Sequence, residues 1–578
     1  MKPQNTKEWL EYQEGIDYKT KINLFEEVSK NERFYAGDQW NGVVANNLPT
    51  PVFNFLKRAL QYKISAVTSD NTTMKFSAEN VSDNPNDERE AMLIQVADIL
   101  TNYAETTKEN LKFNYLNSLG LKDACISGDY IAYYYWDSTI DTGQDAKGDI
   151  CCELIDNVNL FLGNPNDNRI NYMNKPVQPY IIIAFRELVS KLKEEAKNNG
   201  ISKQEIEKIT PDEENNYQSG DRGKIELDTN SKTIALLKMW YNPKTKTIWA
   251  KKCTKFTEIR TEYDTELTIY PIAIMNWETR KNCCHGVAEV SGLIPNQIFV
   301  NKAFAMAMLS SNYFAFPKLV YSIDSMQNQT ITNSIGGVYA VTGNTTGVMQ
   351  YITPEQIATG DLYKIIEMTM QYTKELMGAT DSALGEVDPK NTSAIIAVQK
   401  ASSIPLRSVK DRFNNFVEDV GLIWLDFWLT KYNSPRKLTI TRNGVKEVVE
   451  IDLSQFKDIK FKLKIDVGAS SEWSEITAIQ TLDALLEKER IDFIEYLERL
   501  PDGLIPRKQE LLDKRQEMQQ QVEQMQQQQY NPQELEQLSS GLSPEELNAV
   551  QQNPEVLDQL LQGGGGNGMP QMQMPINA

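Results

Sequence analysis

The sequence contains a single histidine, His285, among 578 residues. That scarcity removes most His-based triads and most imidazole general acid–base schemes. A phosphate-binding Gly-x-x-x-x-Gly-Lys-Ser/Thr loop is also missing. The nearest run, Gly220-Asp221-Arg222-Gly223-Lys224, lacks the first glycine spacing and is followed by Ile225, so no nucleotide-triphosphate cradle is supported. No apolar stretch reaches the roughly 18 residues of a membrane span. The best short run, Val420 to Leu429, is interrupted by Asp426, and no membrane association is expected. Met1 to Lys21 is polar throughout, with no signal peptide visible, and a reducing cytoplasm is the expected setting. Cysteines are few: Cys125, Cys151, Cys152, Cys253, Cys283 and Cys284. Adjacent pairs are poor disulfide spacing and a chain of this length needs no staples, so reduced, mostly buried thiols are expected. Cys283-Cys284-His285 with Cys253 upstream could suggest zinc, but structural sites favour Cys-x-x-Cys spacing and adjacent cysteines point in different directions. Ordinary packing is the preferred reading, and neither metal nor cofactor is expected.

What is present is an ordinary globular composition, 40% hydrophobic and 24% charged, long enough for three or four domains or one elongated multi-segment subunit. The net charge is -19 and the sequence pI about 4.8. Tight DNA wrapping needs basic patches that displace counterions, which this balance disfavours. An acidic surface suits a duplex that must slide past without sticking. It equally suits a solvated surface that keeps the protein soluble, and composition fits both.

The first 35 residues read as helical and polar, with Trp9, Leu24, Phe25 and Val28 as anchors. A turn flanked by aromatics follows, Phe34 to Trp40, and then a Pro-led helix over Val52 to Val67. Helical spacing of Leu93, Val96, Leu100 and Tyr103 predicts one long helix from Asp87 to Lys122. From Cys125 the texture turns to strands: Tyr130 to Trp136, Ile150 to Ile155, Tyr180 to Phe185, and a hairpin of Thr233 to Tyr241 with Thr247 to Cys253. Leu188 to Lys208 reads as a charged helix and Pro211 to Thr229 as a mobile loop. Val287 to Phe316 is a long helical stretch whose only charge between Val290 and Pro317 is Lys302; Pro295 either opens it or kinks it. Strands and glycine turns fill Leu319 to Met349, and a second helix spans Asp361 to Met377. Gly378 to Asn391 is a break, because Gly378, Gly385 and Pro389 disfavour helix continuation. A third helix, Thr392 to Lys431, carries Pro405 as a kink. A hairpin turns at Asn443-Gly444, and Ile459 to Val467 alternates as a half-buried strand. From Ser470 the chain is helical again, with coiled-coil spacing of Leu511, Met518, Val522 and Met525 in a Gln-rich run. Three short Pro-led helices at Asn531, Ser543 and Asn553 follow, then a flexible tail, Gly563 to Ala578.

The order of these elements resembles the phage portal family, the head-to-tail connectors of tailed double-stranded DNA phages. Three stretches carry the likeness. The first is Phe34 to Trp40, with its Tyr-x-Gly-Asp-Gln-Trp run and a following helix containing Asn54 and Lys57. The second is Gly292-Leu293-Ile294-Pro295-Asn296-Gln297 leading into the apolar helix that ends at Phe316-Pro317. The third is the helix–break–helix from Leu362 to Leu429. The resemblance implies an α+β, mainly helical subunit with wing, stem, clip and crown segments. Residues 1–286 would hold N-terminal helices and an α/β wing, 287–317 a stem helix, 318–355 the clip, 356–377 a second stem helix and 378–391 the tunnel loop. Residues 392–469 would hold the wing helix and β-hairpin, 470–530 crown helices, and 531–578 the short helices and tail. It further implies that Asp381, Glu386, Asp388 and Lys390 of the tunnel loop face DNA, and that Lys302 lies in the stem channel. The implied partners are further copies of the chain in a dodecameric ring, double-stranded DNA in the channel, a terminase motor, head-completion or adaptor proteins, the major capsid protein and a scaffold protein. The place would be the portal vertex of the virion, assembled in the host cytoplasm, and the role mechanical, not enzymatic. Two rival readings are a metal-dependent nuclease or other enzyme, which would need a metal cluster or nucleotide loop, and another virion structural or scaffold protein without a DNA channel.

Overall fold

In the computed structural model the described residues are 5–45, 49–68, 72–79, 88–144, 146–211, 231–315, 318–324, 340–342, 344, 346–352, 359–376, 406–432, 435–442, 445–457, 459–467, 472–488 and 490–500. The chain divides into two compact units, Met1–Ser471 and Glu472–Ala578.

The first unit begins with helices α1 (Lys7–Lys21), α2 (Leu24–Ala36) and α3 (Phe55–Thr68), strand β1 (Thr72–Ala78), and helices α4 (Glu88–Asn110) and α5 (Phe113–Ser127). Strands β2 (Asp129–Asp137), β3 (Asp149–Leu154), β4 (Leu160–Leu162), β5 (Asn171–Tyr172), β6 (Lys175–Pro176) and β7 (Ile181–Leu188) lead to α6 (Val189–Asn198) and α7 (Lys203–Ile206). Then come β8 (Lys232–Asn242), β9 (Thr247–Cys253), β10 (Glu258–Asp264), β11 (Ile272–Asn276) and the long helix α8 (Glu289–Ala315). The short ladder of β12 (Lys318–Tyr321) with β13 (Met349–Ile352) precedes α9 (Thr359–Leu376). The unit closes with α10 (Arg407–Lys431), the hairpin β14 (Arg436–Arg442) and β15 (Val445–Ile451), and β16 (Phe461–Val467). The second unit has α11 (Glu472–Glu487) and α12 (Phe493–Arg499), held by Leu482, Leu497 and Leu500.

Two antiparallel sheets are stacked by strict alternation. On β2, Tyr130, Ala132 and Tyr134 turn into the main core, while Ile131 turns toward the five-stranded sheet, order β10-β9-β8-β7-β4. Its strands β7 and β8 are buried on both faces. Ile181, Ile183, Leu237 and Met239 meet Ile131 and Ile272 of the three-stranded sheet, order β11-β2-β3. Ile182, Ile234 and Leu236 lie under Trp9 and Tyr12 of α1. The hub of the main core is α10, which buries Phe413, Phe416, Val417, Val420, Ile423, Trp424, Phe427 and Trp428. Each such side chain contributes about 1.5–3 kcal/mol when fully buried.

Several expectations are corrected. The single helix expected over Asp87 to Lys122 is two, α4 and α5, because Lys112 adopts a left-handed φ of 51° between them. The charged helix expected over Leu188 to Lys208 is broken at Gly200, whose φ is 77°. The aromatic-flanked turn begins later than expected, since α2 continues to Ala36 and stops at Gly37, φ 98°. Strands β1, β10 and β11 were not anticipated, and β16 pairs with β1, far away in sequence. All but Pro211 of the loop expected over Pro211 to Thr229, the break 378–391, Thr392 to Pro405 with its kink, the Gln-rich run, the three short helices and the tail lie outside the described residues. The long apolar helix, the second helix and the hairpin at β8–β9 stand as expected.

Candidate functional site

Of the five candidate residues, Lys302 lies on the α8–α9 pair. Helix α8 is mounted on the rest of the unit by polar contacts at its first turns. Glu289, at the positive end of the helix dipole, accepts hydrogen bonds from Lys63 Nζ at 2.6 Å and Trp277 Nε1 at 2.7 Å. Asn31 Nδ2 donates to Ser291 Oγ at 2.9 Å. Pro295 lies inside the helix, where it has no N–H to offer the preceding turn.

Beyond the proline a relay of buried amides ties α8 to the Tyr-x-Gly-Asp-Gln-Trp run. Gln297 Nε2 donates to Phe53 O at 2.7 Å and to Asn301 Oδ1 at 3.0 Å. Asn301 Nδ2 donates to Gln39 Oε1 at 2.6 Å, and Gln39 Nε2 to Phe34 O at 2.9 Å. Asn54 Nδ2 donates to Tyr35 O at 2.9 Å, closing the end of α2, while its Oδ1 accepts from Lys57 N at 3.3 Å. Trp40 Nε1 donates to Pro51 O at 2.9 Å. The run is therefore a structural joint. Gly37 supplies the left-handed cap that only glycine adopts freely, and Gln39 reaches the long helix. Sequence reasoning found Gly37, Asn54, Lys57 and Gln297 by pattern and missed Asn301. Its signal was a second amide one helical turn after Gln297 within a largely apolar stretch.

Helix α9 packs on α8 through Val300, Ala303 and Ile366, with Phe304, Leu362 and Met370 around them. Asn296 Nδ2 donates to the buried Thr373 Oγ1 at 3.0 Å. Ala303, Ala305 and Ala307 are buried within the chain. The opposite sides of the pair are exposed and apolar. Phe299 and Met306 on α8 are 46% and 52% exposed, and Ile365, Met368 and Tyr372 on α9 are 46%, 50% and 55% exposed. Ile365, Met368 and Tyr372 follow the i, i+3, i+7 spacing of one helix stripe, and Phe299 and Met306 hold its i and i+7 positions on α8. Lys302 is exposed and lies between Phe299 and Met306 on that stripe. Asp381, Glu386, Asp388 and Lys390 lie outside the described residues.

The lone histidine is buried and paired. His285 Nδ1 lies 2.8 Å from Asp129 Oδ2, and Asp129 Oδ1 accepts from Gly286 N at 2.7 Å and Asn276 Nδ2 at 2.6 Å. Burial works to raise the Asp129 carboxyl, but His285 and the Gly286 and Asn276 donors hold it below the ordinary carboxylate range. Burial keeps His285 below its usual value despite Asp129, so a neutral imidazole donates from Nδ1 to an ionised carboxylate. The neighbouring Cys284 thiol is pushed up to about 12 by burial and by Asp129, which leaves no thiolate nucleophile beside the pair. Among the described residues no group of three His, Cys, Asp or Glu side chains could hold a metal ion. Cys253 belongs to the core under α1, apart from the Cys283–His285 turn. Nearby, the buried Lys19 ammonium donates to the carbonyls of Asn157, Val158 and Leu160 at 2.7, 2.9 and 2.5 Å and lies 3.7 Å from the Phe161 ring centre. These groups fasten α1 to the sheet.

A family model described as phage P22-like portal protein matches residues 244–552, more than half of the chain. The chain belongs to that family. A comparison with curated proteins finds no match. The matched span holds α8, α9 and α10. Portal proteins are structural components of the virion, not enzymes. No helix among the described residues is long and apolar enough to cross a membrane.

Proposed function

We propose that this portal protein is one subunit of a ring-shaped channel at the portal vertex, through which double-stranded DNA enters the capsid during packaging and leaves on ejection. The observation that carries the reading is the pair of exposed apolar stripes on α8 and α9. Contiguous apolar side chains at helical spacing call for a covering surface. A heterologous contact, the α8 stripe of one copy against the α9 stripe of the next, repeats around an axis and closes into a ring. Twelve copies complete it. The Lys302 stem packs between Phe299 and Met306 while its ammonium snorkels to the edge of the contact, facing the stem channel.

In this arrangement α8 and α9 are the stem. Residues 318–355 form the clip, which docks the terminase motor and the head-completion or adaptor proteins. The β-rich part before residue 287, with 392–469, forms the wing beside the major capsid and scaffold proteins. Residues 470–530 form the crown. Residues 378–391 are the tunnel loop, whose Asp381, Glu386 and Asp388 outnumber Lys390 and make a negative constriction that repels phosphate and keeps the duplex centred.

Negative-stain electron microscopy of the purified protein tests the reading, with rings around a central hole as the expected image. Met306→Asp with Met368→Asp is expected to leave the circular dichroism spectrum unchanged and to abolish the rings, because both residues are exposed in the subunit. A wild-type protein that stays monomeric, or rings that survive both substitutions, sinks it. Shortening Ala383 to Asp388 is expected to spare the rings and impair packaging or retention of DNA in particles that carry the variant ring.

A further inference from the structure

The two-stranded sheet of β1 and β16 turns Met74, Phe76, Phe461 and Leu463 into the core. Its other face is open to solvent. On that face the antiparallel register sets Lys75 opposite Lys464 and Ser77 opposite Lys462. The ladder continues one step further, where Glu79 N donates to Lys460 O at 3.0 Å. Lys75, Lys460, Lys462 and Lys464 are all exposed. Glu79 lies at one end of this patch, 3.2 Å from Lys462. Like charges directly opposite each other weaken a sheet. In a chain of net charge -19, this concentration of lysine on one small face stands against the overall balance.

We propose that this face binds the phosphate backbone of duplex DNA without reading its sequence, an inference that rests on the portal reading to bring DNA to the protein. Alternate residues on a strand are about 6.8 Å apart. That is twice the roughly 3.4 Å axial rise per phosphate along one DNA strand. Lys460, Lys462 and Lys464 therefore span roughly 14 Å, a length over which a duplex carries about eight phosphates. The Ser77 and Thr73 positions supply hydroxyls, which are backbone-contacting chemistry. The face offers no Arg, Asn or Gln to read base edges. Contacts of this kind are weak, independent of sequence and steeply salt-dependent.

The test uses the full chain and a fluorescently labelled duplex of random sequence, with anisotropy read over a series of salt concentrations. Each lysine–phosphate contact contributes about 0.9 to the slope of log affinity against log salt. Lys462→Gln with Lys464→Gln is expected to lower the slope by about 2, Lys462→Arg with Lys464→Arg to retain it, and Lys191→Gln with Lys193→Gln on α6 to leave it unchanged. Thermal melts of the same preparations verify folding. Equal slopes for wild type and the Gln pair overturn the proposal, leaving the lysines as guards against edge-to-edge pairing. Tighter binding of labelled polyglutamate than of the duplex overturns it in favour of an acidic protein partner. Ring formation, scored on the same samples, separates the two readings. Rings with no lysine-dependent DNA binding remove this inference alone, whereas lysine-dependent binding without rings removes the portal reading alone.

Discussion

Asp419 lies on α10 beside a cavity of about 220 Å³ shared with Arg169, Asn276 and Arg412. Burial, reinforced by Glu418, pushes its carboxyl up to about 7. The folded state therefore holds a proton that the unfolded chain releases near pH 4. Stability falls as pH rises from about 4 to about 7, and the full penalty is present above that window. Asp419→Asn is expected to raise stability at pH 8, on the order of 1–3 kcal/mol, and to leave it unchanged at pH 4. Melting temperatures at the two pH values check this, and an equal gain at both would remove titration as the cause. Asp426, on the same helix, is also raised by burial, to about 6, yet its oxygens accept from Thr268 N and Thr268 Oγ1 at 2.8 Å each and from Ile269 N at 3.2 Å. Asp426→Ala orphans the buried Ile269 N–H and is expected to cost about 1–3 kcal/mol in denaturant melts. Gly120 shows a different constraint. A Cβ there would come within 2.1 Å of the Tyr130 ring, which is buried and held by Asn117 Oδ1 at 3.0 Å. Gly120→Ala is expected to destabilise by about 1–3 kcal/mol through overpacking, despite alanine's better helix propensity.

Helix α8 depends on its polar joint as much as on its apolar faces. The relay from Gln297 through Asn301 to Gln39 and the Phe34 carbonyl is buried at each amide. Asn301→Leu keeps the heavy-atom count and branching of the side chain and leaves the Gln39 oxygen and one Gln297 donor bond unmet. The expected cost is about 1–3 kcal/mol per orphaned group, read as a lower melting temperature. A variant as stable as wild type would mean that the apolar packing of α8 alone sets its position. The elements most legible in the sequence were those with long, uninterrupted periodicity, α8, α9 and the β8–β9 hairpin. The α4–α5 boundary was illegible because the left-handed residue is Lys112, a residue type that gives no turn signal. The apolar stripes were legible as hydrophobic positions, but their exposure was not. Phe299 and Val300 are adjacent and equally apolar, and packing against α9 buries only Val300.

Each unit is described by clusters of its own: among the described residues, the buried side chains of Met1–Ser471 gather around α10 and the five-stranded sheet, and those of Glu472–Ala578 are Leu482, Leu497 and Leu500. A chain ending at residue 471 is therefore expected to fold with a melting temperature within a few degrees of the full chain, a difference of about 1 kcal/mol or less. Calorimetry of the two proteins checks this, and an insoluble truncated chain would show that the first unit needs the second.

By itself the sequence determined the class of the molecule. The order of an apolar helix, a break and a long aromatic helix marked the portal family, because periodicity and punctuation are local properties. Only the tertiary structure decided where the chain closes on itself. Thr72 pairs with Val467, Asp129 meets His285, and Gln39 reaches Asn301. Each joins residues more than a hundred positions apart in sequence, by hydrogen bonds that any exposed donor could make with water. Their partners become fixed only when burial removes that alternative, and burial is a property of the folded whole.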